Sequence, residues 1–377
     1  MTLTPTRETV AIYLTRLTAG GAELVGLNLA RGLMQRGFHV IVVVSQDGGE
    51  LYDTAKLEFE IVNIESPKTL RSFLKLARFL KDKKPNVLIS HYFHCNISSL
   101  IANLILFKKV NIIIVEHGVF SQTISHYSKL YQFIAKILYR FLYPLSDKIV
   151  AVSKIVAKEI SKFSGIPENA IRVIYNPVIP KNFDTLTVVP TKHPWLSICS
   201  GPLIVGIGRL SVEKGFNDLI MAFSMVRRHV DARLIILGEG KERIALEALV
   251  ASLEINDFVD MPGYCSNVYP FLNSADLFVL TSHSESFSNV LVEALACGTP
   301  VVSTNSGGPV EILENGKYGC LVSCKDPSSL AQSILNTLNN PDESNKLTHR
   351  GRFFTVERSI DSYEELILQV LYNKCSN

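Results

Sequence analysis

Ten short apolar runs, in two sets of five, alternate along the chain with stretches of helical character. This alternation restricts the fold more than any other feature. The first set is VAIYL, VIVVV, NVLIS, NIIIVE and KIVAVS; the second is LIVGIG, ARLIILG, FVDMPG, LFVLTS and PVVST. Helical stretches such as residues 22–36 and 70–83 separate them, the pattern of parallel α/β sheets. Between roughly 178 and 202 the alternation stops at Pro177, Pro180, Pro190, Pro194 and Pro202. A chain of 377 residues is long for one core and comfortable for two. The expected fold class is therefore α/β, with two doubly wound domains joined by a short linker. Ligands are expected at the carboxyl ends of the strands.

With 47% hydrophobic and 19% charged residues and no low-complexity tract, the chain reads as well packed and globular. The seven cysteines, Cys95, Cys199, Cys265, Cys297, Cys320, Cys324 and Cys375, are scattered without metal spacing and read as reduced, intracellular core residues. No basic segment followed by an apolar one opens the chain, and no stretch of 18 uncharged apolar residues occurs, so neither a signal peptide nor a membrane span is expected.

Charge is divided unevenly. Residues 1–180 carry 22 Lys and Arg against 13 Asp and Glu, and the remainder 16 against 22. Much of the positive charge lies in KTLRSFLKLARFLKDKK, residues 68–84, with Leu70, Phe73, Leu74, Ala77 and Leu80 on one expected face and Arg71, Lys75 and Arg78 on another. Such a helix suits an anionic membrane surface, and equally a solvated face over a packed stripe. A second stretch, LYQFIAKILYRFLYPL at 130–145, is aromatic-rich and suits core packing at least as well. No nucleic-acid recognition motif accompanies the basic residues, so nucleic acid is not an expected partner.

Two segments carry chemistry. In ESFSNVLVEALACGTPVVST, residues 285–304, Glu285 and Glu293 flank and enter an expected helix with Ser288 or Asn289 as N-cap. A helix N-terminus offers N–H groups and positive partial charge to a phosphate, and Glu293 is placed to accept from sugar hydroxyls. Alone, the two glutamates are equally consistent with solvated surface charges. In LIVGIGRLSVEKGFNDLIMAF, residues 203–223, a strand leads through a glycine turn into a helix. Arg209 and Lys214 lie in that turn, a planar donor fork and a point charge suited to diphosphate oxygens. Gly206, Gly208 and Ser211 fall where a dinucleotide fingerprint has three glycines; with the third replaced and two cations present, a NAD site is not expected.

Together these segments resemble the retaining GT-B glycosyltransferases of glycosyltransferase family four. GRLSVEKG is similar to the family's phosphate loop and ESFSNVLVE to its paired-glutamate motif. YLTRLTAGGAELVGLNLARGL with Gly20 and Gly21, VEHG at 115–118, VAVSK at 150–154 and YNPV at 175–178 follow in the family's order. The resemblance implies two Rossmann-like domains facing a central cleft: residues 1–180 on the acceptor side, residues 195–355 for the nucleotide sugar, and a helix at about 358–377 crossing back to the first. It implies transfer with retention from a nucleotide-diphosphate sugar, a uridine one in the first instance, to a glycan or polyprenyl-diphosphate-linked acceptor of bacterial surface polysaccharide synthesis. Location would be cytoplasmic, at or near the inner membrane.

By the same resemblance Arg209 and Lys214 would hold the diphosphate beside Gly208, with backbone from Asn289, Val290 and Leu291 adding donors. Glu293 would hold the ribose, and backbone at Met261 would read the base. Glu285, with backbone near Ser286, Phe287 and Ser288, would contact the transferred sugar. His117 would orient the reacting centre, or serve only as a structural hydrogen-bond partner. Gly20 and Gly21 would admit phosphate or acceptor, or form a plain tight turn. Glu311 would support the phosphate loop or simply start a helix. No cofactor and no metal are expected, since no Asp-x-Asp pair occurs and the two cations would replace a divalent ion. An epimerase of the same architecture and an inactive sugar-nucleotide-binding protein are the other readings, and neither sugar nor acceptor is specified.

Overall fold

The computed structural model of the chain describes residues 8–18, 20–125, 127–189, 193–197 and 201–372. Two compact units emerge, one running to Pro177 and resuming at Val356, the other Val178–Thr355.

The first unit carries a parallel sheet of β1 (Thr9–Leu14), β2 (His39–Val44), β3 (Glu60–Asn63), β4 (Val87–His91), β5 (Asn111–Glu116), β6 (Lys148–Ala151) and β7 (Arg172–Val173) in the order β3-β2-β1-β4-β5-β6-β7. The second carries β8 (Leu203–Ile207), β9 (Arg233–Leu237), β10 (Val259–Gly263), β11 (Leu277–Leu280), β12 (Val301–Thr304) and β13 (Cys320–Val322) in the order β10-β9-β8-β11-β12-β13. Every ladder is parallel, as in Val205↔Ile235 and Phe278↔Val301. Central strands such as VLISH and LIVGI are buried along their whole length, which is why they lack polar alternation. In each sheet the strand order reverses beside the first strand, between β1 and β4 and between β8 and β11. Those two reversals open the crevices in which doubly wound sheets hold ligands.

The expected boundaries at 180 and 195 move to 177, and the proline-rich stretch is no free linker. Val178 and Ile179 donate their N–H groups to the Phe354 carbonyl, Phe183 packs edge-on against Tyr269, and His193 Nε2 lies 2.8 Å from Asp260. Helix Val356–Tyr372 belongs to the first unit. A Cβ at Gly32, on helix Gly21–Gln35, would lie 2.4 Å from Ile360, and Ser359 Oγ donates to the Tyr175 carbonyl at 2.8 Å.

The basic stretch 68–84 resolves into a 3₁₀ turn, Thr69–Arg71, and helix Phe73–Lys83. Its buried face is Leu76, Ala77, Phe79 and Leu80, whereas Leu74, expected on that face, is 64% exposed. Of the cysteines, Cys95 alone among the described residues is fully buried, while Cys265, Cys297, Cys320 and Cys324 are partly exposed; Cys199 and Cys375 lie outside the described residues.

Candidate active site

In the second unit the loops after β8 and β11 flank the strand-order reversal, and these two loops carry the cations and the glutamates. Gly208 follows β8, with its N–H on the Leu237 carbonyl at 3.0 Å, and Arg209 is exposed. Among the described residues the Arg209 guanidinium has no hydrogen-bond or ion-pair partner. The chain then makes a 3₁₀ turn, Val212–Lys214, and enters helix Phe216–Val226 through Gly215. Gly215 has φ +64, and a Cβ there would stand 2.3 Å from the Thr281 carbonyl oxygen, so only glycine lets this loop lie against the end of β11. Two hydrogen bonds hold the contact: Thr281 Oγ1 donates to the Lys214 carbonyl at 2.9 Å, and the His283 N–H donates to the Glu213 carbonyl at 2.8 Å. His283 Nε2 lies 2.8 Å from Asp218 Oδ2, tying the same loop to helix Phe216–Val226.

The outcome is a forked contact between Lys214 Nζ and both oxygens of Glu285, at 3.1 and 2.9 Å. The side chains keep 26% and 13% of their exposure, so the pair is largely withdrawn from water. The Glu285 backbone is also fixed from both sides. Its N–H donates to the Ser306 carbonyl at 2.9 Å and its carbonyl accepts from Gly308 N–H at 2.7 Å, an isolated parallel bridge with Gly307. Ser286 follows, then Phe287, which is buried edge-on against Phe354.

Helix Asn289–Ala296 starts with Ser288 as N-cap in extended conformation. The Ser288 hydroxyl is buried and has no hydrogen-bond partner among the described residues. Asn289, Val290 and Leu291 form the first turn, the positively polarised end of the helix. Glu293 lies at its second turn, half-buried, with no side-chain hydrogen bond or ion pair among the described residues. Burial pushes its carboxyl up to about 7. Burial, and after it the neighbouring Glu293 charge, raises both the Tyr269 hydroxyl and the Cys297 thiol. Met261 lies in β10, and its carbonyl accepts from Arg243 Nη1 at 3.0 Å, engaging one of its two lone pairs. Glu311 lies in helix Gly308–Ile312, its carbonyl accepting from Arg350 Nη2 at 3.0 Å.

Gly20, Gly21 and His117 belong to the first unit. Gly20 is the N-cap of helix Gly21–Gln35, and the place a Cβ would take is filled by the Glu23 carboxylate at 2.2 Å. A carboxylate there complements the helix dipole; the space above Gly20 is therefore occupied by the chain itself. His117 follows β5, and its Nε2 lies 2.8 Å from Nδ1 of His91, the last residue of β4, with the rings stacked at 5.1 Å. Burial holds both imidazoles neutral, His117 at about 3 and His91 well below its ordinary value. One proton lies between the two rings, and His91 Nε2 is buried without a partner among the described residues. The arrangement that strands no buried N–H has His91 donating from Nδ1, which leaves the proton of His117 on its own Nδ1. Tyr92, next along, is held at φ +70 and ψ +149, a conformation that strains any side-chain-bearing residue, and its ring lies 5.4 Å from that of His117.

Sequence reasoning missed His91, Tyr92, Thr281, His283 and Asp218. The dipeptides His91-Tyr92 and the run Thr281-Ser282-His283 directly after apolar strands were the available signal, since that is where α/β ligand sites form.

Residues 19–182 match the family described as Glycosyltransferase Family 4, and residues 197–354 match Glycosyl transferases group 1. The chain is similar to N-acetyl-alpha-D-glucosaminyl L-malate synthase of Bacillus anthracis, 26% identical over 369 residues that span 94% of this chain and 95% of that one. It is similar to the lipopolysaccharide core biosynthesis glycosyltransferase LpsE of Rhizobium meliloti, 28% identical over 92% of this chain and 96% of that one. Among solved structures, a glycosyltransferase from Rickettsia africae ESF-5 superposes with TM-score 0.81 at 20% identity, covering 98% of this chain and 100% of that one. Anabaena Alr3699/HepE in complex with UDP superposes with TM-score 0.78 at 19% identity, over 96% and 100%. The likeness to both structures is one of fold, the GT-B architecture of two Rossmann-like domains.

Proposed function

The chain belongs to the GT4-type glycosyltransferases, and from that premise we propose that it moves a hexose or N-acetylhexosamine from a uridine-diphosphate sugar to a glycan or polyprenyl-diphosphate-linked acceptor of bacterial surface polysaccharide. The observation that carries this is the Lys214–Glu285 fork, which joins the loop that also carries the exposed Arg209 to the segment leading into helix Asn289–Ala296. Two cations and a helix N-terminus carried by the two loops that flank a strand-order reversal suit a diphosphate. Supporting the donor class, Alr3699/HepE is a structural relative in complex with UDP. Supporting the acceptor class, a Campylobacter jejuni relative, 25% identical over 94% of this chain, is named for transfer to a sugar on diphospho-undecaprenol. Work on such an acceptor would place the enzyme at the cytoplasmic membrane face.

Chemically, the bond between the anomeric carbon and the diphosphate oxygen breaks as an acceptor hydroxyl oxygen bonds to that carbon. The acceptor's proton passes to the departing phosphate oxygen, and attack from the face the diphosphate leaves retains configuration. Charge accumulates on the diphosphate in the transition state, so Arg209, Lys214 and the first-turn N–H groups act more strongly there than in the ground state. Lys214 has three donors and can add a phosphate oxygen while holding Glu285. Glu285, fixed by its backbone bridge, faces the transferred sugar. Glu293, on the second turn of helix Asn289–Ala296, accepts from the ribose hydroxyls.

Two cations already in place predict transfer that continues in excess EDTA, with the product's anomeric configuration that of the donor. Proton NMR of the product formed with and without EDTA checks this. An inverted product, or activity lost to EDTA and restored by magnesium, would contradict it.

A further inference from the structure

Helix Lys129–Leu142 turns its most apolar face outward. Leu130 is 69% exposed, Phe133 61% and Phe141 69%, and Ile134 and Ile137 are also exposed; the buried side is carried by Ala135 and Tyr139. At 100° per residue the five exposed apolar side chains fall within an arc of roughly 100°, and Lys129, Lys136 and Arg140 within an adjoining arc of about 40°, where Arg140 also donates to the Ser164 carbonyl. No Asp or Glu occurs from His117 through Ser146. Five large aliphatic and aromatic groups on one stripe exceed the scattered single exposures normal to a soluble surface, and mark an interaction site. Among the described residues no helix is long and apolar enough to cross a membrane.

We propose that this helix is an interfacial anchor for an anionic lipid bilayer, its apolar arc entering the headgroup and acyl boundary and its cationic arc lying along the lipid phosphates. Charge decides the occupant: a cationic border with no acidic residue for thirty positions, on the unit that carries 22 Lys and Arg against 13 Asp and Glu before position 181, matches an anionic surface. Helix Phe73–Lys83, the more basic candidate, is a weaker anchor. Leu76, Ala77, Phe79 and Leu80 pack inward, which leaves Leu74 as its one large exposed apolar side chain, and Asp82 lies among its basic residues, 3.8 Å from Arg78. The anchor deepens the lipid-linked acceptor reading, yet its geometry is independent of the donor site, so the two can fail separately.

Flotation of the full chain with vesicles of phosphatidylglycerol and phosphatidylcholine tests this, beside vesicles of phosphatidylcholine alone. The parent is expected to float with the anionic vesicles, and F133S/F141S to lose at least about 10-fold in partitioning, since each substitution withdraws a large apolar group from the boundary. R71Q/K75Q/R78Q is expected to float nearly as the parent does, and all three proteins to bind UDP with equal affinity. F141W, at an exposed position that tolerates the ring, is expected to be quenched by brominated acyl chains. Failure of the parent to float at low salt, equal flotation of F133S/F141S, or absence of quenching would overturn the anchor. So would a dimeric parent made monomeric by F133S/F141S, which would assign the face to a second copy of this chain. Loss of UDP binding by the parent, with flotation intact, would count against the donor site alone.

Discussion

Lys214→Ala is expected to lower kcat/KM for the nucleotide sugar by about 10²–10³-fold, the range for removing one fixed donor to a developing anion. The ammonium touches both oxygens of Glu285, a carboxylate with 13% of its side chain exposed, so its loss has a second consequence. Glu285 is left in a half-dry site without its cation, which costs roughly 1–3 kcal/mol of stability for an uncompensated, partly buried group. The double variant Lys214→Ala/Glu285→Gln should recover most of that stability and none of the rate. Steady-state kinetics and calorimetric melting of both variants separate the two effects. Wild-type turnover in Lys214→Ala would remove the residue from the chemistry.

Glu293→Gln is expected to act in opposite directions on stability and on binding. The folded carboxyl, raised to about 7 by burial, holds its proton more tightly than the unfolded chain, where carboxyls titrate near their ordinary value of 4.5. Between those values the native state binds more protons, so stability is lost as pH rises through that window and the penalty is complete above about 7. Glutamine removes the penalty, a gain of roughly 1–2 kcal/mol at pH 8 once discounted for the residue's remaining contact with water. Ribose hydroxyls donate to the carboxylate and not to the acid, so the affinity of the parent for UDP should fall as pH drops below 7, and that dependence should flatten in Glu293→Gln. Melting curves and UDP titrations at pH 6 and pH 8 check both signs. A variant less stable than the parent at pH 8 would show that Glu293 has a native partner.

Central strands were legible because they are buried on both faces and read as unbroken apolar runs, as in VIVVV and LIVGIG. The three strands the pattern did not reveal, β3, β7 and β13, are EIVN, RV and CLV, too short or too polar to stand out from the loops around them. Arg209, Lys214 and Glu285 stood out in the sequence as charged residues in loops after apolar strands, and Glu293 by its spacing from Glu285; the contact between Lys214 and Glu285 is what the structure adds. What brings Lys214 to Glu285 was not legible: Thr281 and His283 act by hydrogen bonds across the crossover between β8 and β11, a pairing with no signature in spacing. The basic stretch 68–84 misled in another way. Its periodicity marks a helix, but which apolar residues turn inward depends on the sheet beneath, and Leu74 is left outside while Leu76 and Phe79 are covered. The reverse holds for 130–145, where an apolar stretch that suited the core faces outward.

Titration calorimetry of UDP and UDP-hexoses into the parent, Arg209→Ala and Glu293→Ala, in EDTA throughout, tests the nucleotide-sugar site most directly. Arg209 is exposed with no partner among the described residues, and Glu293→Ala removes an unpaired carboxyl, so neither substitution should unfold the second unit. The predicted result is binding by the parent and at least about 10-fold weaker binding by each variant, one charge-assisted contact being worth about 1.5–3 kcal/mol. Undiminished affinity in both variants would contradict the assignment of diphosphate and ribose to this site.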